Sequence, residues 1–527
     1  MAKKPDDINT EIPAPAAPEH SVPIDFTSDA PSSPAPEKSR SVPALIMVFA
    51  LFAVMAVFFV TVVRLNVLPH FYLLALGAAL FVLFLLVVIL TWNRKRKVLT
   101  VFGIILTVIL AAGCIFGTVY AGKAVSTLEQ IIRKKEKETV DIGVFVLKDD
   151  PAASVADLAG VPLGRLQTVD REETDAAVRK IGELLQASPD TVRYTRPTDM
   201  LSALLDGSVR AILMNRSLIL AMESNLETFS MDQVRQLELI EVEKATQEAE
   251  PESPVSPEAE PVDAASRPFI LYIAGIDDRH GLTAHSLTDV NILAAVNPQT
   301  HQILLVNTPR DYFVHTPVSG EERDKLTHAG LYGVDMSIRT LSDLYGGLNI
   351  DYYFRVDFSG FKAIIDALGG VDVYSDRTFT VDDITFTEGM NHMTGYQALV
   401  FARQRKGLDG GDRARGIHQM AVIDAVLKKV SSSELLRNFF PLMNAVAGNF
   451  ETTVPYDTLT ALVQRQLTDG GKWNFKTFSV DGTDSVSSTF SFPGERYVML
   501  PNEELVAYAR GLLQDVLDGK EIEIPTP

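Results

Sequence analysis

The chain has 527 residues, more than one hydrophobic core organises, so several folded units are expected. Its formal charge of −19 argues against wholesale nucleic-acid binding, which needs a basic footprint. The single cysteine, Cys114, excludes an internal disulfide framework and a Cys-based zinc site.

Residues 1–42 are rich in Pro, Ala, Ser and acid and read as a disordered cytoplasmic tail. Mean hydropathy is +0.12 despite the acidity, so the apolar excess is concentrated somewhere. It lies in three uncharged runs, 43–63, 71–92 and 98–120, each long enough to cross a hydrocarbon core of roughly 30 Å as a helix. They are apolar on every face, which fits membrane helices rather than core helices. The long leader and the lack of a small-residue cleavage pattern argue against a signal peptide. The loop "NRKRK" (93–97) and Lys38 and Arg40 are basic, whereas the loop between the first two runs holds only Arg64 and His70. The positive-inside rule then places the N-terminus and the 93–97 loop in the cytoplasm and everything after Tyr120 outside. The later cluster of Arg133, Lys134, Lys135 and Lys137 is diluted by Glu136 and Glu138.

Residues 121–138 read as a charged helical stalk, and 245–268 as a Pro/Glu linker between two outer domains, 139–244 and 269–522. In the first, "VDIGVFVL" (140–147) and "RAILMN" (210–215) are strand-like, "SVADLAG" (154–160) is a short helix closed by Gly160, and 174–186 is amphipathic. This small α/β unit resembles one lobe of the solute-binding proteins that serve transporters; spacer and sensor are both open. In the second, apolar runs at 269–276, 290–296, 303–306 and 371–374 alternate with the amphipathic "GFKAIIDALGG" (360–370). Such alternation predicts a sheet with helices on both faces. The chain is thus read as α/β: a multi-span membrane N-terminus followed by two extracytoplasmic α/β domains, the second an α/β/α sandwich.

Four stretches of this domain carry chemistry. "AGIDDRHGLTAHSLTDVNIL" (274–293) puts Asp277 just past one strand and Asp289 just before the next. Carboxylates meeting at a sheet edge suit Mg²⁺ or Mn²⁺, which also bind phosphate oxygens. In "ILLVNTPRDYFV" (303–314) a buried strand ends by presenting Arg310 and Asp311. In "ALVFARQRKG" (398–407) a strand over 398–405 would point Arg403 and Arg405 to one face, and paired guanidinium groups call for an anion between them. In "GGDRARGIHQMAVIDAVLKKV" (410–430) a helix starting near Arg413 sets Arg415 and Gln419 on one face, with its first amides free for an anion.

These pieces come in one order: "GIDDR…TDVNILAAVNP", "ILLVNTPRDYFV", "KLTHAGLYG", "IDYYFRVDFSGFKAIIDALGGVDV", "MTGYQALVFARQRKG" and "GDRARGIHQ". Residues 269–430 thereby resemble the LytR-CpsA-Psr family of bacterial cell-envelope proteins. The membrane spans and the 139–244 insert are additions to the family's plan of one span and one domain. The resemblance implies a phosphotransferase that uses Mg²⁺ or Mn²⁺ to move a glycopolymer, such as a wall teichoic acid or capsule, from a polyprenyl-pyrophosphate carrier to peptidoglycan. It implies that Asp277 and Asp289 are the metal-associated acids. Arg310, Arg403, Arg405, Arg415 and Gln419 match the pyrophosphate-binding set, and Asp311 and Lys325 fall on motif positions. Asp311 is expected to orient a neighbouring arginine rather than act as a base.

Two positions depart from the family pattern. Leu287 stands where an arginine is usual, with Arg279 or His285 as substitutes, and His418 stands where a second arginine is usual. The same residues would serve a lipid-pyrophosphate hydrolase, or a non-catalytic lipid-pyrophosphate receptor acting as an envelope regulator. The acidic pair counts against the receptor, since binding alone needs only the arginines.

Overall fold

The structure, a computed structural model, describes residues 42–92, 97–133, 139–243, 267–276, 285–404, 412–430 and 450–524. The tail over 1–41, the linker over 244–266, Asp277 and Arg405 lie outside the described residues.

Among the described residues three helices, Val42–Arg64, His70–Trp92 and Lys97–Arg133, are long and apolar enough to cross a membrane. They meet along Leu51, Met55, Val87 and Cys114. Their threonines solve the problem of a hydroxyl in hydrocarbon locally: Thr61, Thr91, Thr107 and Thr118 each donate to the carbonyl four residues back at 2.8 Å. The third helix runs without a break through the span and into the expected stalk.

The insert is a five-stranded sheet in the order Thr191–Tyr194, Leu163–Leu166, Ala211–Asn215, Thr139–Leu147, Val234–Glu243. Thr139–Leu147 shows why the sheet needs helices on both faces. Ile142, Val144 and Val146 feed one core, and Phe145 feeds the other. The helix expected at 154–160 is a single 3₁₀ turn, Val155–Leu158, followed by Gly160 at φ +75°.

The larger unit is built on a six-stranded sheet in the order Phe450–Thr452, Tyr352–Asp357, Phe269–Ile276, Thr288–Asn297, Gln302–Asn307, Asn474–Ser479. Tyr352–Asp357 runs parallel to Phe269–Ile276, and Thr288–Asn297 antiparallel to both of its neighbours. Period-two alternation splits each strand between layers. Leu293, Ala295, Leu304 and Val306 pack with Leu341, Leu512 and Leu513 on one face. Ile292, Ala294, Val296 and Leu305 pack with Met420, Ile423 and Leu462 on the other. The expected two-sided sandwich is present. Val371–Ser375 is a strand, but it pairs with Gly389–Met393 in a separate two-stranded sheet.

One expected element is different. The strand considered for 398–405 is not present: its described residues lie in the helix Gly395–Arg403 and its cap. Thr394 and Gln397 form a capping box at its start, and buried Ala398, Phe401 and Ala402 recur at the spacing of one helix face. Arg403 therefore reaches its place from the last turn of a helix, not by strand alternation.

The two α/β units share a core. Leu331, Tyr332, Phe490 and Phe492 of the larger domain cluster with Met200, Leu204 and Phe229 of the insert. Arg196 also pairs with Glu322 across this boundary.

Candidate functional site: a cationic mouth on an apolar cavity

The site begins where Gln302–Asn307 leaves the sheet. The Thr308 amide donates to the Asn291 carbonyl at 2.8 Å, and the Thr308 hydroxyl meets the Tyr345 hydroxyl at 2.9 Å. These bonds pin the Asn307-Thr308-Pro309 exit and aim the next two side chains. Arg310 Nη1 lies 2.7 Å from Asp289 Oδ1 at the start of the neighbouring strand. Asp311 sits beside it, with Oδ1 2.8 Å from Lys325 Nζ and Oδ2 3.5 Å from Arg310 Nε.

The helix Asp412–Val430 supplies the other wall. It starts where the sequence pattern placed it. Gly416 faces Asn307 so closely that a Cβ would lie 2.6 Å from its Nδ2, so a larger residue here would have to displace the Asn307 amide as the helix packs on the strand end. That approach brings buried Arg415 to 3.9 Å from Asp289 Oδ2, with Gln419 one turn further on. Arg403 enters from its own helix end, its guanidinium 4.3 Å from the centroid of the Phe358 ring. Asp289, Arg310, Arg403, Arg415 and Gln419 thus line one cavity, with Lys325 and Asp311 behind Arg310.

The charge balance favours an anion. Among the described residues four cations, Arg310, Lys325, Arg403 and Arg415, face three carboxylates, Asp289, Asp311 and Asp357, the last engaged as a helix cap. Burial by itself would raise the Asp311 pKa. The charges of Arg310, Lys325 and Arg415, with the Lys325 hydrogen bond, outweigh it and hold the carboxyl below its usual range. Asp311 is therefore a fixed anion that holds cations in place and a poor proton acceptor near neutrality.

Among the described residues no group of three His, Cys, Asp or Glu side chains gathers as a metal cage. Mg²⁺ typically takes one or two carboxylates and completes its shell with water and phosphate oxygens. Asp289 fits that demand. It lines the cavity, with Arg310 at 2.7 Å from Oδ1 and Arg415 at 3.9 Å from Oδ2.

Behind the mouth the cavity is apolar, with a volume of about 590 Å³. It lies between the sheet and the helices Phe358–Ala367, Gly395–Arg403, Asp412–Val430 and Tyr456–Asp469. Leu271, Ile273 and Phe354 stand in the middle of the sheet and are still only half-buried, because they face this space. Nothing in their spelling separates them from filled-core residues. Gly360 and the Asp357 carboxylate that caps its helix at 2.7 Å hold the Phe358 platform. The "RVDFSG" stretch around them offered a capping signal that could have marked it.

Both departures from the family pattern have structural reasons. Leu287 packs against the core shared with the insert. His285 does not substitute for an arginine at the site. Its Nε2 is 2.9 Å from Asp170 of the insert, and its Nδ1 is 2.7 Å from the Leu331 carbonyl oxygen. Arg279 lies outside the described residues. His418 is stacked on Phe401 and Phe379, with ring centroids 4.1 and 5.4 Å away, and burial depresses its pKa. It is a neutral packing residue. A buried network was not anticipated at all: Asp324, fully buried, accepts from Ser491 and pairs with His328 Nδ1.

A family model described as the LytR_cpsA_psr family matches residues 231–505. A protein of Bacillus anthracis named polyisoprenyl-teichoic acid–peptidoglycan teichoic acid transferase TagU is 35% identical over 195 residues, 37% of this chain and 63% of that protein. A protein of Oceanobacillus iheyensis with the same name is 31% identical over 219 residues, 40% of this chain and 66% of that protein. The match thus spans just under two thirds of the length of these relatives. Among solved structures, B. subtilis TagV aligns with a TM-score of 0.42 at 27% identity, over 48% of this chain and 98% of that one. TagT bound to LI-WTA aligns with a TM-score of 0.39 at 22% identity, over 49% and 94%. The family match covers more than half of the chain and contains the whole cationic mouth: the chain belongs to the LytR_cpsA_psr family.

Proposed function

We propose that the chain is a membrane-bound phosphotransferase that moves a glycopolymer from a polyprenyl-pyrophosphate carrier onto peptidoglycan. The polymer is a teichoic acid, a capsular polysaccharide or a similar chain. The observation that carries this reading is the joining of an arginine-lined mouth to an apolar cavity, which matches a ligand with a phosphate head and a hydrocarbon tail. The names of the curated relatives support the same class of substrate.

In this reading Arg310, Arg403 and Arg415 grip the pyrophosphate, with Arg405 and Gln419 as further contacts. Lys325 and Asp311 position Arg310. Asp289 and Asp277 hold a Mg²⁺ or Mn²⁺ ion, which when bound neutralises phosphate charge. An acceptor hydroxyl of peptidoglycan attacks the phosphorus nearer the polymer. The bond to the bridging oxygen breaks, and polyprenyl phosphate leaves with the acceptor's proton on its terminal phosphate. Phosphoryl transfer asks a protein for positioning and charge neutralisation more than for a covalent nucleophile. A fixed set of guanidinium groups suits that demand.

The spans would place the N-terminus in the cytoplasm and the domains outside. The contact of the 65–67 turn and Ala121 with the larger domain is consistent, because both then belong to the outer leaflet end.

The test uses the full chain in lipid nanodiscs, with a synthetic polyprenyl-pyrophosphate oligosaccharide, peptidoglycan fragments and Mg²⁺ or Mn²⁺. Sugar joined covalently to peptidoglycan supports the transferase. Sugar phosphate released without the conjugate replaces it with a hydrolase, and binding without turnover replaces it with a receptor.

A further inference from the structure

The apolar cavity ends one layer of side chains short of the membrane hairpin. Its wall farthest from the arginines includes Val430, Tyr456, Leu459 and Val463. Val430 and Val463 also pack against buried Leu65, Val67 and Ala121, the turn between the first two membrane helices and the outer end of the third. The Tyr456 hydroxyl donates to the Leu65 carbonyl oxygen. Gln464 Nε2 donates to the Asn66 carbonyl oxygen at 2.6 Å and to its Oδ1 at 3.0 Å. Asn66 takes a left-handed φ of +47°, which turns the chain so that Leu65 and Val67 both face the domain. The same thin wall therefore bounds the cavity on one side and the membrane hairpin on the other.

We propose that this hairpin forms the far end of the lipid-tail site, and that the terminal isoprene units of a polyisoprenyl carrier lie against Leu65, Val67 and Ala121. The inference rests on the proposed function and adds a second boundary to that site. A head that carries a polymer cannot pass between the apolar side chains lining the cavity, so the tail enters first, from the arginine mouth. The tip then travels toward Val430 and Val463. A tail longer than the cavity needs an apolar exit, because water beyond the wall would oppose its extension. The apolar route nearest the far wall is the packed contact between Val463 and the 65–67 turn, which parts to admit the tail tip and leads back toward the hydrocarbon from which the carrier came. The hairpin thereby discriminates by tail length: long tails gain contacts there that short tails never reach.

The test has two arms on the full chain in nanodiscs. In the first, a polyprenyl phosphate bearing a diazirine on its terminal isoprene is photolysed with the wild-type protein. Peptides holding 64–67 or 121 should be labelled, competed by unlabelled polyprenyl phosphate. Labelling confined to residues near the mouth, such as Phe358 or Leu399, would overturn the proposal. In the second, transfer from long-chain and short-chain donors is compared in Val67→Asp. The ratio of kcat/KM for long over short donors should fall roughly tenfold, the scale of one or two lost apolar contacts. An equal loss for both lengths overturns the proposal. The transferase reading fails separately: wild-type protein would then transfer from no donor of any length, while the photolabelling arm still reports where the tail tip lies.

Discussion

His285 Nε2 lies 2.9 Å from Asp170 Oδ2, across the boundary between the insert and the larger domain. The other ring nitrogen faces the Leu331 carbonyl oxygen at 2.7 Å. Both partners are acceptors, so only the protonated ring donates to both. Burial by itself would depress the His285 pKa. The charge and hydrogen bond of Asp170, with the Leu331 carbonyl, outweigh burial and the opposing Arg355 and raise it above the ordinary value. A raised folded-state pKa stabilises the fold fully below the unfolded value of about 6.5 and loses that contribution as pH rises through the folded value. Thermal melts of the wild type should therefore fall on this alkaline side, and Asp170→Asn should flatten the slope. Asp170→Ala should cost about 1–2 kcal/mol and reverse the pH slope, because the buried ring loses its ionic partner and sheds its proton rather than stay charged.

The same boundary controls the segment leading to Asp289. Ser286 donates its amide to the Gly330 carbonyl oxygen at 3.2 Å. In return Gly330 approaches the Ser286 carbonyl so closely that a Cβ there would collide with backbone, which cannot rotate away. Gly330→Ala should push the 285–289 segment off its seat. Activity should fall by about tenfold or more, as expected when a reacting group is displaced by a fraction of an ångström to 1 Å. If Asp289 holds the proposed Mg²⁺ or Mn²⁺ ion, a shift in the metal concentration giving half-maximal transfer, measured alongside thermal melts, separates this displacement from a simple loss of stability.

Much of this architecture was legible. The strand runs at 269–276 and 303–306 and the helix beginning near Arg413 stand where apolar patterning put them, because each pattern is long or bounded by polar residues. The 398–405 stretch was not legible from its apolar run, since a short run fits a strand or a buried helix equally; the Thr394–Gln397 cap was the deciding signal. The cavity was invisible for a different reason. Leu271 and Phe354 are spelled as core residues, and only the placement of four helices leaves them facing the cavity. The His285–Asp170 pair joins segments on either side of the 245–268 linker, and no local periodicity marks such a contact.

His418 tests how far the family's usual arginine can be restored. The ring is buried against Phe401 and Phe379. His418→Arg should destabilise the chain by about 2 kcal/mol, through overpacking and a charge with no room to hydrate. His418→Phe should keep the stack and the stability. It should also remove an acid-side loss: burial lowers this pKa, so its contribution is full above about 6.5 and is lost as pH falls through the folded value. The sign is opposite to that of His285, and the two substitutions separate the contributions in a pH series of melting curves.

Arg403 and Arg415 share the cavity mouth but differ in what else they support. Arg403 is exposed and rests on the Phe358 ring, whereas Arg415 is buried beside Asp289. Arg403→Ala should leave the melting temperature nearly unchanged, as for most surface substitutions within about 0.5 kcal/mol, while reducing kcat by roughly 10²–10³, the usual loss for one preorganised donor to a reacting oxyanion. Arg415→Ala should reduce transfer by a similar factor and also destabilise the fold, because Asp289 loses a neighbouring cation inside the domain. Arg403→Lys should recover only part of the loss, since an ammonium supplies the charge without the planar fork. Transfer assays run beside thermal melts decide the matter. If Arg403→Ala transferred sugar as fast as the wild type, the arginine mouth would not be where the phosphate is held.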